Sequence, residues 1–152
     1  MSVYWKLFVD GASRNNPGEA AAGIYIVKDN TFFLRRGYFL GIKTNNQAEY
    51  LALLLGLLLI SEYIASDDIV HIVSDSQLLV YQLRGIYRVK KGHLLPLYQA
   101  CKERIAAMNA IITHVLREEN SHADEMANFG IVNKNFPPDI YIDQLKKHGI
   151  TI

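Results

Sequence analysis

The sequence is short of cysteine, of proline and of any surplus of one charge. A single cysteine, Cys101, excludes an internal disulfide framework and a cysteine-ligated metal centre. Sixteen Lys+Arg against fifteen Asp+Glu leave a net charge of +1. A nucleic-acid partner therefore has to be held by local positive patches rather than by a whole-chain field. The longest apolar run, Tyr50 to Ile60, has eleven residues, too few to span a bilayer and suited to a buried helix. No secretory leader is visible, because Met1-Ser2-Val3-Tyr4-Trp5-Lys6 reads directly as a strand. A cytoplasmic protein with no membrane partner is the expectation. What is present is material for a core: half of the 152 residues are apolar and a fifth are charged, as in one soluble globular domain.

Val3 to Val9 is rich in β-branched and aromatic residues and predicts a strand, ended by the turn formers from Asp10 to Gly18. Ala22 to Val27 and Phe32 to Leu40 predict two more strands about a polar hairpin turn, giving an antiparallel meander. Thr44-Asn45-Asn46-Gln47 offers capping side chains to a long apolar helix reaching about Ala65. Ile69 to Ser74 reads as a central strand covered on both faces. A short helix to about Leu83, a third helix from near Pro96, a fifth strand from Ile111 to Leu116 and a last core helix from Asn120 to about Gly130 follow. The expected fold class is α/β, a mixed five-stranded sheet with its first three strands antiparallel and helices flanking it. Residues 1–130 are expected to form the functional domain. Residues 131–152 are expected to be an irregular tail, broken by Pro137-Pro138 and docked back through Ile140, Ile142, Leu145 and Ile150.

Four acids sit where elements begin or end: Asp10 closing the first strand, Glu49 early in the long helix, Asp75 after the fourth strand and Asp124 early in the last core helix. One rim of an α/β sheet is where sites form. Each acid also has an ordinary structural role open to it. Asp10-Gly11 is a turn pair, Glu49 suits a helix dipole, Asp75 suits an N-cap, and Ser121-x-x-Asp124 matches a capping box. Taken together, four like charges in one crevice need counter-charge, and no lysine or arginine stands at a matched position nearby. An all-oxygen set selects hard cations, Mg²⁺ with Mn²⁺ as a substitute. Four carboxylates balance two such ions, which about 4 Å apart would serve phosphodiester hydrolysis. Asn16, Thr44, Asn45, Asn46, Ser76 and Gln77 lie beside the acids, as uncharged partners for sugar hydroxyls and base edges or as caps and turns.

These stretches resemble type 1 ribonuclease H. The matching segments are Phe8-Val9-Asp10-Gly11-Ala12-Ser13 with Asn16-Pro17-Gly18, Thr44-Asn45-Asn46-Gln47-Ala48-Glu49, Ser74-Asp75-Ser76-Gln77, and Arg117-Glu118-Glu119-Asn120 with Ala123-Asp124. They run in order from about Val3 to Gly130. The resemblance implies an RNase H-like fold and an endoribonuclease that cuts the RNA strand of RNA/DNA hybrids with two Mg²⁺ ions, leaving 5′-phosphate and 3′-hydroxyl ends. It implies that Asp10 bridges both ions, Asp124 completes the nucleophile side, and Glu49 and Asp75 complete the other. Glu49 would also meet a 2′-OH, and Asn16, Asn45, Asn46 and Gln77 would line the minor groove. No obligate protein partner is expected, and the chain is expected to be a monomer.

The chain also departs from that family. Many relatives carry a histidine in a Gly-rich loop before the last aspartate, and here Arg117-Glu118-Glu119-Asn120 runs straight into the helix. His122 lies about 200° from Asp124 around a helix and should face elsewhere. Arg117 has two readings: a group near the scissile phosphate that aids product release, or a surface ion pair with Glu118 or Glu119. In place of a basic helix there are Arg84, Arg88, Lys90 and Lys91, with Tyr87 among them, either a phosphate contact or a solvated loop. Two other classes compete with this reading. A silent hybrid- or RNA-binding module should lack a carboxylate, and all four are here; the detached nuclease part of a reverse transcriptase is not expected to start at a Met1 directly before the first strand; a sugar-kinase or chaperone-type ATPase needs two such lobes.

Overall fold

The computed structural model describes residues 1–90 and 92–152; Lys91 of the basic loop lies outside the described residues. Three strands come first, β1 (Tyr4–Ser13), β2 (Gly18–Lys28) and β3 (Thr31–Lys43), paired antiparallel as a meander. Helix α1 (Asn45–Ile60) leads to β4 (Ile69–Ser74), which pairs parallel with β1. Helices α2 (Gln77–Leu83) and α3 (Leu94–Ala107) precede β5 (Ala110–His114), parallel to β4. A 3₁₀ turn (Arg117–Asn120), α4 (Ser121–Asn133) and α5 (Asp139–Lys147) complete the order. The sheet runs β3-β2-β1-β4-β5. Among the described residues, no helix is long and apolar enough to cross a membrane.

Helix α1 is apolar around its whole circumference because it is covered all round. Its residues from Tyr50 to Ile60 are buried between the sheet and α3. A capping box starts it, with Thr44 Oγ1 accepting from Gln47 N and Gln47 Oε1 accepting from Thr44 N. It stops five residues before the expected Ala65. Ser61 Oγ bonds the Leu58 carbonyl, and the chain then turns into a clip where buried Asp68 accepts from Ala65 N, Val3 N and Trp5 Nε1. Cys101 packs in the core.

Two expectations need correction. Strand β1 does not end at Asp10. It leaves β4 after Val9 and continues to Ser13 against β2, so the Gly-rich stretch is an antiparallel ribbon. The last segment is not irregular either. Pro138 is the N-cap of α5, a position at which proline breaks nothing, and α5 buries Tyr141 and Leu145 while Ile150 packs behind them.

Candidate active site

The parallel ladder between β1 and β4 ends at Val9 opposite Ser74, and the next residue along the chain after each is an aspartate: Asp10, still in β1, and Asp75, just past β4. Chain divergence at that rim opens a crevice of about 440 Å³ lined by Asp10, Gly11, Ala12, Ser13, Asn45, Glu49, Asp75, Arg117 and Asp124. All four predicted acids therefore share one cavity. Carboxylate oxygens of Asp10, Glu49 and Asp75 lie within 4.8 Å of one another, while Asp124 stands outside that inner group.

The ordinary roles open to these acids are taken by other residues. Ser76, not Asp75, is the N-cap of α2 and accepts from Leu79 N at 3.2 Å. Asn120, not Ser121, is the N-cap of α4, and no capping bond involves the Asp124 side chain. Glu49 lies beyond the first turn of α1, and its Oε1 accepts from Gly11 N at 2.6 Å. Asp10 sits within β1 opposite Gly23 rather than in a turn.

Two glycines bring the acids together. A Cβ on Gly11 would overlap the Ala48 carbonyl and Glu49 N, so only glycine lets the start of α1 lie against β1. A Cβ on Gly23 would overlap the Ala123 carbonyl and Ala127 N, so α4 reaches the strand beside Asp10 only over a glycine. Asn120, buried just before α4, donates from Nδ2 to the Val9 carbonyl at 2.9 Å and ties that end of the helix to the strand carrying Asp10. Its Oδ1 is buried with no hydrogen-bond partner among the described residues.

Crowding shows in the proton affinities. Burial, then the charges of Glu49, Asp75 and Asp124, push the Asp10 carboxyl up to about 10. Burial likewise pushes Glu49 up to about 8, against the opposing pull of the Gly11 N–H and the Arg117 charge. Without a counter-cation the cluster keeps protons that isolated carboxylates would have lost. An all-carboxylate oxygen set of this kind fits hard divalent cations.

Arg117 corrects the expectation that no cation stands nearby. Its guanidinium is 3.8 Å from Asp124 and lines the crevice, so its partner is Asp124 rather than Glu118 or Glu119. Most of the side chain is exposed, which leaves it free to move. Among the uncharged residues, Asn16 Oδ1 accepts from Asn45 N and holds the β1–β2 turn to the start of α1. Thr44 and Ser76 act as caps, and Gln77 donates to the Tyr87 hydroxyl. Asn45 lines the crevice. Asn46 lines a neighbouring depression of about 330 Å³ with Arg88 and Lys90, and Arg84 is exposed at the end of α2. His122 faces away from the crevice, its ring stacked on Tyr25 at 4.3 Å between centroids.

Comparison with known proteins agrees with this geometry. Residues 8–130 match the reverse transcriptase-like family. Over 80% of the chain, the sequence is 38% identical to ribonuclease HI of Halobacterium salinarum, of which it covers 61%. The crystal structure of RNase H1 from that archaeon superposes with a TM-score of 0.79 at 33% identity, covering 88% of this chain and 99% of that one. LC11-RNase H1, solved in complex with an RNA/DNA hybrid, gives a TM-score of 0.79 at 28% identity over 87% of this chain and 98% of that one. The chain spans from 33% to 61% of the length of the curated relatives it matches.

Proposed function

From a chain that belongs to the type 1 ribonuclease H family, we propose an endonuclease that hydrolyses the RNA strand of RNA/DNA hybrids with two divalent cations, Mg²⁺ by preference. The observation that carries the reading is the crevice itself: four carboxylates from four elements, three of them within 4.8 Å, with Asp10 raised to about 10. LC11-RNase H1 binds such a hybrid, which supports the same substrate here.

Asp10, Glu49 and Asp75 would hold one cation, and Asp10 with Asp124 the other. Bound cations supply a water of lowered pKa and neutralise charge on the scissile phosphate and leaving oxygen. Cleavage on that side of the phosphate leaves 5′-phosphate and 3′-hydroxyl ends. The chain's own residues do the positioning. Gly11 N holds the Glu49 carboxylate in place, leaving its other oxygen for a ribose 2′-OH, the group that separates RNA from DNA. Asn16, Thr44, Asn45, Asn46, Ser76 and Gln77 form the rim over which the minor groove lies. Arg84, Arg88, Lys90 and Lys91 take backbone phosphates of the same duplex. Arg117, exposed and paired to Asp124 at 3.8 Å, contacts the scissile phosphate and helps product leave. Residues 1–130 carry this chemistry, and 131–152 brace it through α5. The protein acts as a monomer in the cytoplasm.

The test is cleavage of a duplex of labelled RNA and DNA, with Mg²⁺ and then with EDTA, beside single-stranded RNA and an all-DNA duplex. Metal-dependent cutting of the hybrid alone, lost in a folded Asp75→Asn variant, is the expected result. A wild-type protein that binds the hybrid and cuts nothing in Mg²⁺ or Mn²⁺ would overturn it.

A further inference from the structure

A buried polar side chain is costly unless it is bonded, so each one has a definable task in the fold. Among the described residues they are Asp10, Asp68, Ser74, Gln82 and Asn120. Asp10 belongs to the crevice, Asp68 to the clip after α1 and Asn120 to the tie on β1, while Ser74 Oγ accepts from Ser76 N before α2. Gln82, 6% exposed on α2, differs in joining the core to the basic loop. Its Oε1 accepts at 2.5 Å from the hydroxyl of Tyr50, a fully buried ring on α1. Its Nε2 donates to the Arg88 carbonyl at 3.5 Å.

The loop is folded back on α2 rather than extended into solvent. Gly85, at a φ of +78°, reverses the chain, and Ile86 N and Tyr87 N both donate to the Tyr81 carbonyl, at 2.8 and 3.0 Å. The Tyr87 hydroxyl accepts from Gln77 Nε2 at 3.1 Å, and its ring meets Tyr81 edge-on at 5.1 Å. Gln82 then holds the next residue, Arg88. On the other side, Tyr50 directly follows Glu49 in α1, and Glu49 is held by Gly11 N. A continuous run of contacts thus leads from the crevice through α1 and Gln82 to Arg88. The two hollows it connects are neighbours. Asn45 lines the crevice, and Asn46, the next residue, lines the depression shared by Gln82, Arg88 and Lys90.

We propose that Gln82 is a positioning residue for the substrate duplex: bonded to Tyr50 on one side and to Arg88 on the other, it sets the separation between the basic loop and the carboxylates. The strand opposite the cleaved one is then gripped in the depression at a fixed offset from the crevice. This rests on the hybrid-cleavage reading, which puts the RNA strand over the carboxylates. A duplex presents its two backbones at a spacing set by its helical form, so two contact points held rigidly apart select by shape where no base is read. Cations on a free loop would follow any backbone. Here the loop cannot shift at Arg88 without breaking its bond to a buried amide. Gln82 acts through the loop and touches no reacting atom, so its loss removes binding common to ground and transition states, raising KM and leaving kcat unchanged.

The test pairs Gln82→Met, which keeps an unbranched side chain of similar size, with Tyr50→Phe, which removes only the hydroxyl. Each single variant should raise KM for an RNA/DNA hybrid about fivefold at unchanged kcat. Each also leaves a buried partner unsatisfied and should melt lower. The double variant removes both partners, so it should melt near wild type while KM stays raised, which separates positioning from stability. Arg88→Ala with Lys90→Ala keeps the Arg88 carbonyl and removes the cations; adding Gln82→Met there should raise KM no further. Anisotropy of a labelled hybrid in EDTA should follow the same pattern without catalysis. A wild-type KM in the double variant overturns the proposal. So does a Gln82→Met effect that persists without the two cations, or a fall in kcat at unchanged KM. Wild-type protein that gives the anisotropy pattern and never cuts the hybrid overturns the hybrid-cleavage reading alone, and one that binds no hybrid overturns both.

Discussion

Mg²⁺ binding to the crevice should release protons, and its affinity should rise with pH. Burial and mutual repulsion hold Asp10 protonated up to about 10 and Glu49 up to about 8. Metal-free protein at neutral pH therefore keeps at least one proton in a cluster where isolated carboxylates would keep none. A cation binds the ionised groups, so those protons have to leave. Each proton released tightens binding about tenfold per pH unit, and one to two protons give about ten- to a hundredfold per unit between about pH 6 and 8. Stability without metal moves the other way. Carboxyls raised in the folded state contribute fully below the ordinary carboxylate range and lose that contribution as pH climbs toward 8 and then 10. In EDTA the melting temperature should fall over that range, and Mg²⁺ should offset most at its alkaline end. Asp10→Asn should cut proton release by about one and flatten the alkaline decline. Isothermal titration in two buffers of different ionisation enthalpy reads the protons, and melts in EDTA read the stability. An affinity that is flat with pH and releases no proton would refute the reasoning. So would a metal-free Asp10→Asn protein melting well below wild type at alkaline pH.

Three other substitutions probe how the acids are held. Gly11→Ala puts a methyl into the Ala48 backbone and should cost on the order of 3 kcal/mol. Because α1 must shift with Glu49, hybrid cleavage should fall further than the melt alone accounts for. Asn120→Ala leaves the Val9 carbonyl without its buried donor and should cost roughly 1–3 kcal/mol by urea denaturation; unchanged stability would show that water replaces the amide. Arg117→Ala removes the positive charge nearest Asp124, so Mg²⁺ should bind several-fold tighter by titration while turnover drops. Weaker Mg²⁺ binding in that variant would assign Arg117 to holding the carboxylates in place.

The readable parts of this chain are those set by local pattern. Strand β4 follows from an apolar run bounded by acids, and the three-strand meander from alternation about a polar turn. The four acids stand out in the sequence because each falls near a predicted change of element, although Asp10 proves to lie within β1 and Glu49 within α1. Tertiary context was not readable. Asp10 to Ser13 have turn composition yet extend β1, because β2 supplies their partners. Pro137-Pro138 looks like a stop and is instead the approach to α5. Arg117 is close in sequence to two glutamates and pairs with neither, because the 3₁₀ turn aims it across the crevice at Asp124. Gly23, which admits α4, carries no motif at all.

These unreadable contacts are what make the readable acids a site. Repulsion among four carboxylates would spread them apart if they stood on loops. Here Asp10 is on a central strand, Glu49 on a helix buried on every side, and Asp124 on a helix seated over glycine. Spreading them means moving α1 or α4 against the core, which is close-packed and resists displacement. The repulsion is therefore expressed as proton uptake rather than as movement, which is why the raised Asp10 and Glu49 belong with a rigid geometry. A cluster that holds protons in place of cations is preorganised for cations: binding them exchanges one positive charge for another and leaves the backbone where it was.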